Sequence, residues 1–181
     1  MQQRRIGKRT VGAIGLGGMP MAVREHNDEA QGIRTIHAAL DAGVTLIDTA
    51  DAYSWDDAAF GHNEDLIAKA LREYGAGPDE VLVATKGGHT RHGREWALDG
   101  SPEYLRRACE GSLRRLGVEA IGLYQHHRPD PEVDYAETMG GLEALLDEGK
   151  ILAAGISNAD PDQIRPDTRL RVPSPSREER A

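Results

Sequence analysis

The chain has one cysteine in 181 residues. Cys109 therefore has no partner for an internal disulfide, and burial and hydrogen bonding must hold the fold. Aromatic residues make up only 4%, with one phenylalanine and two tryptophans. That is too few for the stacking platforms that grip single-stranded nucleic acid. Positive charge is also scarce. Lys and Arg number 22 against 30 Asp and Glu, a net charge of -8, which disfavours polyanions and anionic membrane surfaces as partners. No apolar run approaches the roughly 18 residues of a membrane-spanning helix. The opening MQQRRIGKRTVG has basic residues but lacks the apolar segment of a secretion signal. These absences lead to the expectation of a soluble cytoplasmic protein that engages neither nucleic acid nor membrane.

What is present is a repeating alternation. Five short apolar runs are VGAIGLG (11–17), TLIDTA (45–50), VLVATKGG (81–88), AIGLYQHH (120–127) and ILAAGISN (151–158). Their unbroken apolar character is that of strands covered on both faces. Between them, residues 29–42, 63–74, 102–116 and 135–148 carry apolar side chains at helical spacing, such as Leu105, Cys109, Leu113 and Leu116 in the third. Ser101 followed by Pro102 is the pattern of an N-cap and a first helical residue. Gly43, Gly75, Gly117 and Gly149 each follow a helical segment, where a left-handed cap is wanted. Four β-α units and a fifth strand predict an α/β fold with a parallel sheet. RRIGKRTVG predicts a small hairpin turning at Gly7 and Lys8. An open Rossmann-like sheet and a (β/α)8 barrel both fit this alternation. The glycines of GAIGLGG do not form a dinucleotide fingerprint, because MPMAVREHN after them reads as loop rather than helix. A short helix is predicted after Asp160, cut off by Pro166. Residues 166–181, charged and poor in apolar side chains, predict a disordered tail.

The residues with chemical potential gather at the ends of the predicted strands. Asp48 ends the second, with Tyr53 in the loop beyond. Lys86 ends the third, His126 and His127 the fourth, Ser157 and Asn158 the fifth. In a parallel barrel these ends converge on one face. A phenol is a weak acid, but a neighbouring ammonium favours its ionised form. A carboxylate beside that ammonium keeps it charged and aimed. Such a phenol can protonate a carbonyl oxygen while hydride arrives at the carbon. A lysine on an apolar strand needs such a partner. Other polar residues have plainer readings. Asp51 is expected to be a turn former. His126 is expected to pack on the opposite side of its strand from His127. His62, His89 and His92 are expected to be solvated, and Cys109 to be core. Trp55 and Trp96, in expected long loops, are candidates for a substrate-pocket wall. A metal-dependent hydrolase built on His126, His127 and Asp130 is an alternative from another class, as is a binding module without turnover.

The sequence resembles the aldo-keto reductase family. The resembling pieces are GAIGLGGMPM (12–21), IDTADAY (47–53), ATKGG (84–88), LYQHHRPDP (123–131), LLDEGKI (145–151) and GISN (155–158), over roughly residues 4–165. The resemblance implies a parallel (β/α)8 TIM-type barrel with an N-terminal β-hairpin, of which about the first five β/α units are expected here. Residues 1–165 are then a partial barrel domain, C-terminally truncated relative to the family. The implied chemistry is NADP(H)-dependent reduction of a small aldehyde or ketone. The resemblance implies Tyr53 as general acid, Lys86 and Asp48 as its tuning pair, and His127 in the carbonyl pocket, since the family's active histidine directly precedes Arg-Pro. It implies Gly18, Met19, Asp48, Ser157 and Asn158 as cofactor-binding residues, and no metal. A partial barrel would expose a sheet edge, so self-association through that edge is a further expectation.

Overall fold

The computed structural model describes residues 1–164, so the expected tail at 166–181 lies outside the described residues. The chain opens with an antiparallel hairpin of β1 (Gln3–Ile6) and β2 (Arg9–Gly12). Its turn passes through Gly7 at φ 56, the left-handed conformation such tight turns need. The chain then bends into β3 (Leu16–Gly17). The run at 11–17 is thus not one strand: Val11 and Gly12 finish the hairpin, and only Leu16 and Gly17 pair with the next strand. Helix α1 (Glu29–Asp41), β4 (Leu46–Asp48), helix α2 (His62–Tyr74) and β5 (Leu82–Gly87) follow. A second hairpin, β6 (His89–His92) and β7 (Glu95–Leu98), occupies a stretch expected to be loop. Helix α3 (Pro102–Leu116), β8 (Leu123–His126), helix α4 (Tyr135–Asp147), β9 (Ala154–Ile156) and a short 3-10 turn over Pro161–Ile164 complete the described chain.

The main sheet is parallel with order β3-β4-β5-β8-β9. Each new strand joins the same edge, so the order never reverses. A doubly wound sheet reverses and carries helices on both faces. Here the helices share one face. Ile47 packs with Ile36, Leu40, Leu66 and Ile67 of α1 and α2. Tyr124 packs with Leu105 and Cys109 of α3 and Leu142 and Leu145 of α4. Register aligns Ile47 with Val83 and Thr85 with Tyr124, so these side chains project to one side. The opposite face carries Leu46, Leu82, Ala84, Leu123 and Ala153, closed from one end by Ile6 and Val11 of the first hairpin. One-sided helices and a monotone strand order are the winding of a barrel wall. No described helix is long and apolar enough to cross a membrane.

The helix ends follow the sequence signals. The Ser101 hydroxyl accepts the Tyr104 N–H at 3.2 Å, and Asp28 and Asp134 cap α1 and α4 in the same way. Gly75 and Gly117 terminate α2 and α3 at φ 83 and 68. Removing the cap in Ser101→Ala should cost about 1 kcal/mol. Thermal unfolding would register that as a midpoint drop of roughly 2–4 °C, and an unchanged midpoint would contradict the role.

Candidate active site

Lys86 organises the site. The inner face of β5 presents Leu82, Ala84 and Lys86 in alternation, placing a lysine at the C-terminal end of an apolar row. Its side chain is almost fully buried. An ammonium has three donors, and all three are used. Lys86 Nζ donates to Asp48 Oδ2 at 2.7 Å, to the Thr49 carbonyl at 2.8 Å and to Tyr53 Oη at 3.2 Å. Asp48 is positioned by register, since it sits beside Ala84 and shares its face. Its side chain keeps 42% exposure, so the ion pair opens onto solvent. Tyr53 is brought over the lysine by the turn after β4, where its N–H bonds to the Ala50 carbonyl at 3.3 Å.

The two adjacent histidines divide by strand parity. His127 follows β8 on the inner side, fixed by its N–H to the Gly87 carbonyl at 2.9 Å. Its ring meets Tyr53 edge-on at 5.3 Å between centroids. Burial, then the charges of His89 and Lys86, push its pKa down to about 3, so the ring is neutral near pH 7. His126 points to the helical side, against Tyr135 at 6.0 Å. Burial takes its pKa down to about 4. The expected opposition of the two rings is observed. It also undoes the metal alternative, because the rings diverge and Asp130 is engaged with the Gly100 and Glu132 N–H groups. Among the described residues, no three His, Cys, Asp or Glu side chains are placed to share an ion.

The Aldo/keto reductase family profile matches residues 13–169. The chain belongs to the aldo-keto reductase family. It is 40% identical over 161 residues to the probable aldo-keto reductase 1 of Glycine max, covering 88% of this chain and 44% of that protein. It is 42% identical over 137 residues to the aldo-keto reductase YhdN of Bacillus subtilis, covering 76% and 40%. Among solved structures it resembles the glycerol dehydrogenase AKR11B4 of Gluconobacter oxydans, with a TM-score of 0.76 and 36% identity over 89% of this chain and 50% of that one. It also resembles the aldo-keto reductase AKR11C1 of Bacillus halodurans in its holo form, with a TM-score of 0.77 and 32% identity over 91% and 52%. The chain thus spans about half the length of the relatives it matches.

In this aldo-keto reductase chain the second hairpin stands beside His127. His89, expected to be solvated, is half-buried and packs edge-on against His127 at 4.4 Å and against Trp96 at 5.3 Å. Its Nδ1 faces the Ala97 carbonyl at 3.2 Å; a carbonyl only accepts, so Nδ1 carries the proton. Arg91 lies over Trp96 at 4.0 Å and Arg94 over Trp55 at 4.5 Å. Trp96 sits on β7, not in a loop. Gly93, at φ 59, makes the turn between β6 and β7.

The other residues expected at the site lie on either side of the tetrad formed by Asp48, Tyr53, Lys86 and His127. Gly18 meets the end of β4, donating its N–H to the Asp48 carbonyl at 2.7 Å, and Met19 beside it is exposed. At the other edge of the sheet, the Ser157 N–H bonds the His126 carbonyl at 2.9 Å. Asn158 Nδ2 donates to the His127 carbonyl and to Ser157 Oγ, both at 3.0 Å. Asn158 adopts φ 58, a left-handed conformation that asparagine tolerates.

Beneath the tetrad is a buried polar layer that the helical periodicity did not reveal. The Glu64 carboxylate accepts from Thr85 Oγ1 and from Arg115 Nε at 2.6 Å. Asn63, also fully buried, bonds Thr49 and Gly18. Asp51 does sit in the turn before Tyr53, yet its carboxyl is fully buried with neither oxygen paired among the described residues. Burial, then the nearby Glu64 charge, hold its pKa well above the usual carboxylate range. Cys109 is core as expected, its thiol pushed up to about 12 by burial. A cavity of about 510 Å³ opens at the far ends of β5 and β8, lined by Leu71, Pro78, Leu82 and Ile121. None of the tetrad lines it, and it has no part in the chemistry below.

Proposed function

We propose that this chain carries the carbonyl-reducing centre of an NADPH-dependent aldo-keto reductase, acting on a small aldehyde or ketone. The observation that carries the reading is the saturated Lys86 ammonium, shared between Asp48, the Thr49 carbonyl and Tyr53. In this reading Tyr53 is the general acid. It gives its phenolic proton to the carbonyl oxygen as the C=O π bond opens, and Lys86 stabilises the phenolate left behind. Asp48 holds the ammonium in place and limits its loss of charge. His127, neutral in its buried setting, orients the carbonyl oxygen by a hydrogen bond without competing as an acid. The nicotinamide cofactor supplies the hydride to the carbonyl carbon.

The residues present suit one part of that cofactor. A carboxamide needs a donor and an acceptor, and Ser157 and Asn158 offer hydroxyl and amide groups beside His127. Asp48, half-open beside Gly18 and Met19, offers acceptors to a ribose hydroxyl. The choice of NADP(H) over NAD(H) follows the family resemblance. One relative is a glycerol dehydrogenase, so small hydroxylated aldehydes and ketones belong in the first assay panel. The test is NADPH oxidation followed by absorbance, with NADPH binding followed by its fluorescence. Saturable binding and turnover are expected, with Tyr53→Phe keeping the binding and losing the turnover. A chain that binds no NADPH at any accessible concentration would refute the reading.

A further inference from the structure

We propose that Asn63 is a positioning residue, whose side-chain amide locks the Gly18 turn to the end of β4 and so sets the shape of the cofactor side of the site. The cofactor part rests on the reductase reading above; the clasp itself does not.

Asn63 is the second residue of α2 and is completely buried. Asparagine at a helix start ordinarily caps its own helix. Here the cap position is Gly61, with no side-chain cap bond, and the Asn63 amide turns to two other elements instead. Nδ2 donates to the Gly18 carbonyl at 3.0 Å, and Oδ1 accepts from Thr49 Oγ1 at 2.7 Å. The orientation of the amide is fixed by its partners, because the Gly18 carbonyl can only accept. Gly18 then donates its N–H to the Asp48 carbonyl at 2.7 Å. A ring results, running from Asn63 to Gly18, Asp48, Thr49 and back. It touches the tetrad twice, through Asp48 itself and through the Thr49 carbonyl that accepts from Lys86 at 2.8 Å.

Gly18 is the complement of Asn63. Its φ of -78 is open to any residue, so the backbone does not demand glycine. Space does: a Cβ there would lie 2.5 Å from Asn63 Oδ1 and 3.1 Å from the Asp48 carbonyl oxygen. A core-filling side chain of similar size would occupy the position of Asn63 without either bond, which separates positioning from mere packing.

Asn63→Leu keeps the bulk and removes both bonds, and Asn63→Asp keeps the acceptor for Thr49 while removing the donor to Gly18. Lys69→Ala, on the exposed side of the same helix, is the control. Native-state hydrogen exchange by NMR is read at the Gly18 amide against the Ile47 amide. Either Asn63 variant should speed Gly18 exchange by about tenfold or more beyond any change at Ile47, the scale of one lost buried hydrogen bond. NADPH dissociation constants should rise by a similar factor, with turnover at saturating NADPH nearly kept. Gly18 exchange that changes only in step with Ile47 would overturn the clasp. Faster Gly18 exchange with unchanged NADPH affinity would overturn its role for the cofactor. Should the unaltered chain bind no NADPH, the reductase reading falls, and the exchange rates still decide whether Asn63 holds the turn. If Asn63→Leu does not fold, Asn63→Asp carries both measurements.

Discussion

Glu64→Ala is expected to lose about 3–5 kcal/mol of stability, the cost of stripping one partner from a buried ion pair. Glu64 is fully buried, and its carboxylate sits between Arg115 of α3 and Thr85 of β5. The Arg115 side chain is only 21% exposed, and it is fitted closely: a Cβ at Gly61 would come within 2.4 Å of it, and one at Gly111 within 3.0 Å. Without Glu64 the guanidinium keeps its cramped setting but loses its counter-charge, and the Thr85 hydroxyl loses its acceptor. Because α2, α3 and β5 meet at this carboxylate, the loss is spread over the whole described core. Glu64→Gln keeps an acceptor for Thr85 and should retain part of the stability, so the two variants separate charge from hydrogen bonding. Urea unfolding measures both. The Arg115→Ala variant and the double variant complete a cycle, whose coupling energy should exceed about 1 kcal/mol for groups in direct contact. A Glu64→Ala chain within about 0.5 kcal/mol of the parent, the range of ordinary surface changes, would show the pair to be dispensable.

This buried layer was the part of the molecule least legible in the sequence. Helical spacing identifies an apolar stripe, and Leu66, Ile67 and Ala70 gave α2 its place against Ile47. It says nothing about which polar residue at a helix start will turn inward. Asn63 and Glu64 look like the solvated first turn of any helix, and only the three-dimensional approach of Gly18, Thr49, Thr85 and Arg115 gives them partners. Asp51 was only half legible for the same reason. Its turn was legible, but the burial of its carboxyl depends on what α2 and α3 bring over it.

The gathering of Asp48, Tyr53, Lys86 and His127 was legible because its signal lies at the strand ends. Apolar strands that end in Asp, Lys and His are unusual, and a parallel sheet delivers such ends to one face. Parity along β8 put His127 and His126 on opposite sides in the sequence as it does in space, while the choice of His127 came from the family resemblance. The second hairpin escaped because HTRHGREWAL has no apolar run. Its strands hold by cross-strand pairing and by Arg91 and Arg94 stacked on tryptophans, which periodicity does not register. Between an open sheet and a barrel wall, the sequence offered only the loop character of MPMAVREHN and the family resemblance. Strand order and one-sided helices decided it.

The two buried histidines should make the chain sensitive to mild acid. His126 and His127 titrate near 4 and near 3 in the folded chain, against an ordinary 6.5. Between those values the unfolded state holds protons that the native state refuses. Stability is therefore full above pH 6.5 and falls as pH drops toward 4. His89, also lowered by burial, acts in the same direction. Asp51 acts in the other, since its raised pKa lets the native state keep a proton that the unfolded chain releases above 3.8. A fully differing proton contributes about 1.4 kcal/mol per pH unit, so the pair gives at most about 2.7 kcal/mol per unit, reached as pH falls below 6.5, and Asp51 offsets up to about 1.4 of it. Glu29, Glu110 and Glu148, held down by surface partners, contribute only below the ordinary glutamate value of 4.5. Urea unfolding between about pH 7 and pH 5 avoids them and isolates the buried groups. His126→Asn should flatten the slope, and Asp51→Asn should steepen it by removing the opposing term. Stability of the Asp51→Asn variant that stays level across that window would mean that the histidines take up protons without unfolding, and that the surroundings of His127 are open to water.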